Sequence, residues 1–224
     1  MNRYDLEKWS DEEVKKLADM GNYTATYEYG ERLYFQKRYK ESFKYLYSLV
    51  NYNNFLIWER IIDIVYNYEK DLLSDKELFN LLLRRHQHGS SYYSYILADF
   101  YKEGRGTRRS LKKYIELLII CSNDGSASAT QELAECYEKG FGVKKSLRKA
   151  FKTYYYYYDE HGKKDYWCSY KVALYMLNEW GGAKKDMGQI RYYLEYAARV
   201  VNEARELYIE LFNEDPVPDK PRKL

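Results

Sequence analysis

Proline is nearly missing from this chain of 224 residues, and all three copies, Pro216, Pro218 and Pro221, fall in the last nine positions. The 215 residues before them hold nothing that must break a helix. Histidine and cysteine are equally scarce, with three of each. Cys121, Cys136 and Cys168 form no C-x-x-C, which argues against zinc and for a reducing compartment. No apolar run approaches the ~20 residues a bilayer span needs. The best, 115–121, is short and carries Glu116. The opening MNRYDLEKWSDEEVKK has no apolar h-region, so no secretory signal is expected and the expected location is the cytoplasm. Charge of one sign is also lacking. Lys+Arg at 37 against Asp+Glu at 34 leaves +3, without the footprint of a nucleic-acid binder.

Tyrosine, by contrast, is abundant at 29 copies, including the run Tyr154 to Tyr158, and the 46% apolar share is ordinary for a folded chain. Tyrosine also suits strands, so periodicity must arbitrate. Ala129, Leu133, Ala134 and Tyr137 form one stripe, and Leu147, Ala150, Phe151, Tyr154 and Tyr158 another. Both follow the 3.6-residue period of a helix, and the chain reads as all-α.

Self-similarity organises those helices. Leu97-Ala98-Asp99-Phe100-Tyr101-Lys102-Glu103-Gly104-Arg105-Gly106 returns, displaced by 36, as Leu133-Ala134-Glu135-Cys136-Tyr137-Glu138-Lys139-Gly140-Phe141-Gly142. Gly125 to Gly162 repeats at 37, and Trp180 to Met187 pairs with Gly140 to Leu147 at 40. The small residue after leucine lets a partner helix approach. Gly-x-Gly ends the first helix of a pair, since glycine readily takes the left-handed cap conformation. Ser74, Ser110, Ser146 and Asp186 stand where second helices begin, as N-caps. Ser74 to Glu77 and Ser10 to Glu13 are full capping boxes.

The pattern Ala129-x-x-x-Leu133-Ala134-x-x-Tyr137-x-x-Gly140-x-Gly142-Val143, then Lys149-Ala150 and a closing Gly162, resembles the SEL-1-like repeat, a branch of the tetratricopeptide-like solenoids. The match spans roughly 91–202. Upstream, Tyr29-Gly30-x-x-Leu33 with Tyr39, Ser42, Leu46 and Leu49 looks like a plain tetratricopeptide unit. The unit at 54–89 has Tyr68 and Lys70 where the glycines belong and Ile62 for the small residue. Some secreted relatives carry a disulfide within each repeat; the three cysteines here show no such spacing.

The expected fold is therefore an all-α, right-handed α-solenoid of stacked antiparallel helix pairs. A capping helix at 1–20 precedes five pairs at about 21–53, 54–89, 90–125, 126–162 and 163–202. A last helix at 203–214 covers the open end, and 215–224 is expected to be a flexible tail. Each pair buries its apolar face only against its neighbours.

No nucleophile–base–acid set assembles, so the expectation is a protein that is not an enzyme. Gly-x-Gly is followed by no Gly-Lys-Ser/Thr and preceded by no strand, so no cofactor is expected. His86 and His88 are i and i+2 at a helix C-terminus, where cations complement the macrodipole and no third metal ligand is evident. His161, before Gly162, has the same explanation, and no metal is expected.

Tyr101, Tyr137 and Tyr154 occupy core positions of the resembled family. Other residues fall, by register, on the inner face of the stack: Tyr27, Glu31 and Tyr34; Glu59, Asp63 and Tyr66; Tyr95, Asp99 and Lys102; Gln131, Glu135 and Glu138; Lys171, Tyr175 and Asn178. That face is acidic and aromatic, suited to a basic or amphipathic segment, and tyrosine recurs at binding hot spots. Separately, Arg108, Arg109, Lys144, Lys145, Lys184 and Lys185 bracket the starts of second helices and could form an anion-binding ridge. The resemblance implies an adaptor or scaffold that binds a protein or peptide in its concave groove. An inhibitor or immunity-type protein masking a toxin or defence enzyme is the alternative. Nucleic-acid binding along the ridge is a further one, and a homodimer through one end of the stack stays open.

Overall fold

The computed structural model describes residues 6, 8–160 and 165–216 of the chain, with the side chains of 158–160 left out of the description. Among the described residues there are twelve α-helices and no strand. They are α1 (Asp11–Asp19), α2 (Tyr23–Phe35), α3 (Tyr39–Ser48), α4 (Phe55–Asp63), α5 (Asp75–Gln87) and α6 (Ser91–Glu103). After them come α7 (Leu111–Asn123), α8 (Ala127–Lys139), α9 (Leu147–Glu160), α10 (Tyr166–Leu177), α11 (Met187–Ala197) and α12 (Asn202–Phe212). None of the described helices is long and apolar enough to cross a membrane. His161 and the closing Gly162 lie outside the described residues, as do positions 217–224 of the expected tail.

The chain divides into two compact units, Met1–Arg109 and Ser110–Leu224. In the first, α1 to α6 pack in succession, each against the next. Val14, Ala25, Leu33, Ile57, Ile61 and Leu82 are buried to 1% exposure or less, and α2 lies so close to α3 that a Cβ on Gly30 would stand 2.6 Å from Leu46. The Ser42 hydroxyl in α3 donates to the Gly30 carbonyl at 2.7 Å, which satisfies a polar group inside this contact. In the second unit α7 to α12 also pack in succession. Its core gathers Ala150, Tyr154, Cys168, Val172, Ile190, Leu194 and Ala204, all fully buried. Tyr101 and Tyr154 are interior as the repeat pattern implies, Tyr137 packs against the core half-buried, and Tyr114 is an unforeseen buried tyrosine whose hydroxyl meets Cys136 Sγ at 3.6 Å.

The punctuation is where sequence and structure meet most closely. Ser10 and Ser74 both form complete capping boxes, and Ser110, Ser146 and Asp186 accept backbone N–H groups at the starts of α7, α9 and α11. Ser74→Ala is expected to cost about 1 kcal/mol, since it orphans the donors of the first turn of α5. Urea titration measures it, and an unchanged midpoint would mean that solvent serves those groups as well. Gly104 and Gly140 end α6 and α8 at φ 80° and 77°.

The third loop departs from the sequence alignment by one residue. Alignment set Trp180 opposite Gly140 and Gly182 opposite Gly142. In the structure Glu179 takes the left-handed cap position at φ 54°, and Gly181 makes the close approach. Gly106, Gly142 and Gly181 each abut the first residue of the preceding second helix: Asp75, Leu111 and Leu147. Gly182 is thus left in a loop one residue longer than its counterparts. The unit without glycines ends α4 differently. A π-helical segment, Ile64–Tyr68, and a 3-10 turn, Lys70–Leu72, replace the left-handed cap. At the far end Arg205 holds Asp215 through two bonds of 3.0 and 2.5 Å, so the first residue assigned to the tail is anchored.

Candidate functional site

The residues expected on the inner face all lie on the first helices of successive pairs, or on the π segment that continues α4. Tyr27, Glu31 and Tyr34 are on α2, Glu59 and Asp63 on α4, and Tyr95, Asp99 and Lys102 on α6. Gln131, Glu135 and Glu138 are on α8, and Lys171 and Tyr175 on α10, with Asn178 as its C-cap. A four-residue spacing, or three, keeps each trio on one stripe of its helix.

In the first unit this face is a ladder of paired charges. Arg60 Nε and Nη2 donate to the two oxygens of Glu31 at 2.7 and 2.9 Å, and its guanidinium lies 3.9 Å from the centroid of the Tyr34 ring. Hydrogen bonding to Glu31 holds Arg60 above its ordinary value against the opposing effect of burial. The Tyr34 hydroxyl donates to Asp63, and burial, then that carboxylate, push the phenol up. Arg85 donates to Glu59 at 2.6 Å and approaches the rings of Phe55 and Tyr93. Tyr66 is half-buried, its phenol raised by burial and then by the charge of Asp99. Asp99 itself stands 3.7 Å from Lys102.

The second unit repeats the theme with other residues. Glu138 accepts Lys171 at 3.1 Å and the Tyr175 hydroxyl at 3.0 Å. Burial first and Glu138 second raise the Tyr175 phenol. Gln131 donates to Asp165 at 3.0 Å, and Asp165 also caps α10 by accepting the Cys168 amide at 2.7 Å. Glu135 pairs along its own helix with Lys139, and Asn178 is exposed and donates back to Leu174. The Tyr154 hydroxyl, beneath Lys171, is the buried side-chain oxygen without a hydrogen-bond partner among the described residues.

Two of the expected contact residues are therefore interior. Glu31 is buried at 5% exposure and Tyr175 at 1%, so both hold neighbouring helices together. Tyr27, Tyr34, Tyr66, Tyr95, Asp99, Gln131 and Glu135 keep part of their surface in solvent. Sequence reasoning missed Arg60, Arg85 and Asp165 as the counterparts of this face. Part of their signal was present: Arg60 stands on the first helix after that of Glu31, and Asp165 caps the first helix after that of Gln131. Arg85 reaches Glu59 from the second helix of the same pair, which register on first helices could not show.

Of the ridge, Arg108, Arg109, Lys144, Lys145, Lys184 and Lys185 are all exposed. Arg109 donates to the Lys102 carbonyl at 2.9 Å, within the first unit. Cys121, Cys136 and Cys168 are buried and unbridged, and burial pushes the Cys121 thiol up to about 11. His86 Nδ1 meets Ser94 Oγ at 2.7 Å, with burial lowering the imidazole, and the His88 ring packs edge-on to Trp58. Among the described residues no group of three or more His, Cys, Asp or Glu is placed to hold a metal ion.

No protein-family model matches the chain, and no curated protein matches it either. Solved structures do. A Sel1 repeat protein from Oxalobacter formigenes is similar at 20% identity and a TM-score of 0.65, over 81% of this chain and 73% of that one. The protein c5321, a protective antigen present in uropathogenic Escherichia coli strains and displaying an SLR fold, is similar at 15% identity and a TM-score of 0.71. That likeness covers 90% of this chain but only 44% of the antigen, so the chain spans less than half of it. At these identities the likeness is one of backbone path, and on that path the chain has the SEL-1-like repeat fold of paired, stacked helices.

Proposed function

We propose that the protein is a non-catalytic interaction module that holds a partner protein or peptide on the tyrosine- and carboxylate-bearing face of its first helices. The observation that supports this most directly is a row of half-buried tyrosines set among carboxylates whose positions are fixed by ion pairs and hydrogen bonds. Tyr34, bound to Asp63 and covered by Arg60, is the best-defined member. A ring held this way offers large contact area and a polar tip without having to be ordered on binding. The solenoid neighbours support the same role, because stacked helix pairs present continuous side-chain surfaces for recognition. Glu31, Glu138 and Tyr175 are assigned a supporting part, holding the helices that carry the contact residues.

Replacing Tyr95 and Asp99, both in the first unit, together by alanine tests it. Partner capture from the native cell, read by mass spectrometry, is expected to disappear while helicity and melting temperature stay nearly unchanged. Capture of the same partner by the double variant would place the contact elsewhere.

A further inference from the structure

The third loop borders a cavity whose lining charges differ from those one repeat earlier. A cavity of ≈ 390 Å³ lies in the second unit between the start of α9 and the 180–182 turn, lined by Arg148, Phe151, Lys152, Gly181 and Gly182. The residue after the second loop glycine is Thr107 in the first loop and Val143 in the second, but Gly182 here, where a Cβ would meet nothing within 4 Å. The charges differ as well. One repeat earlier, the positions of Arg148 and Lys152 are held by Lys112 and Glu116, which face each other 4.0 Å apart as an i, i+4 pair. At Arg148 and Lys152 both members are cations, both are exposed, and neither has an ionic partner among the described residues. Like charges at this spacing repel and weaken a helix. The exposed Lys144, Lys145, Lys184 and Lys185 add to the same sign nearby in sequence, and the Asp186 carboxylate is engaged in capping α11. Phe151 gives the cavity an apolar wall, its ring fixed by stacking on Tyr175.

We infer that this cavity receives an acidic segment of a protein partner, a carboxylate seating between Arg148 and Lys152 with an apolar residue against Phe151. An incoming carboxylate supplies the counter-charge that Glu116 supplies one repeat earlier. A net charge of only +3 favours a short acidic peptide over a nucleic acid, whose binding asks for a wider basic footprint. The site's cations lie on the second helix α9 and the tyrosine face on first helices, with contact through Phe151 and the buried Tyr175. A charge change at Lys152 therefore tests this site without altering a residue of that face.

The test uses the full chain and a fluorescein-labelled peptide rich in Glu and Asp with one Phe, followed by anisotropy. Saturable binding that weakens with added salt is expected. Lys152→Glu restores the pairing seen at Lys112 and Glu116, which keeps the helix intact, and is expected to weaken the peptide about tenfold or more. Lys76→Glu, at the position of Arg148 two repeats earlier on α5, is expected to leave binding unchanged. Absence of binding, or equal affinity in Lys152→Glu, would overturn the proposal. So would an oligothymidylate of equal charge that displaces the peptide and binds more tightly.

Discussion

Gly106→Ala is expected to destabilise the protein by about 3 kcal/mol or more, one of the largest effects any single methyl group should have here. An ideal Cβ at this position would stand 2.2 Å from the Asp75 carbonyl oxygen, and the residue sits at φ +60°. The opposing atoms are backbone at the start of α5, anchored by the Ser74 capping box, so they cannot swing aside as a side chain would. Gly181→Ala should behave alike, its Cβ falling 2.5 Å from the Leu147 carbonyl oxygen. Gly182→Ala is the informative reference. Gly182 has φ +83° but nothing within 4 Å, so only the left-handed conformation is penalised, at about 1 kcal/mol. Urea or thermal unfolding of the three variants separates close approach from conformation. Equal losses at 106, 181 and 182 would show that the packing of the loop on the preceding helix contributes little.

Arg60→Met should cost about 3–5 kcal/mol, because it strands the Glu31 carboxylate among packed side chains. Glu31 is only 7% exposed at its side chain and Arg60 25%, and both oxygens of Glu31 depend on the same guanidinium. The second half of the cycle decides the interpretation. Glu31→Leu combined with Arg60→Met removes both charges, and most of the lost stability should return, as it does when a buried ion pair gives way to apolar packing. A pair such as Lys15 and Asp19 on α1, about half exposed on both sides, should show little or no coupling in the same cycle. Additive losses for Glu31 and Arg60 would mean that the two act independently, and the ladder would then be no unit.

The two predictions share a cause that explains what could be read early and what could not. Gly104, Gly140 and the serine caps announce themselves because each meets a local need: a left-handed cap, or an orphan N–H in the next turn. Glu179 does not announce itself. Nothing local marks a glutamate for φ 54°, and only the packing of Gly181 on Leu147 sets the loop register. The site divides in the same way. Helical register put Tyr34, Asp63, Asp99 and Gln131 on the first helices, but it treated Glu31 and Tyr175 as surface. Their burial depends on Arg60 arriving from α4 and on Glu138 from α8, partners one repeat away.

From the residue order alone came the all-α class, the interval of about three dozen residues and the places where helices start and stop. These are set by periodicity, propensity and caps, which act within a few residues along the chain. Only the tertiary structure decided which carboxylates are spent on holding helices together, where the third loop falls, and that Arg148 and Lys152 flank an open cavity. Those outcomes depend on distances between residues far apart in sequence, and such distances exist only once neighbouring pairs have packed and taken their burial from one another.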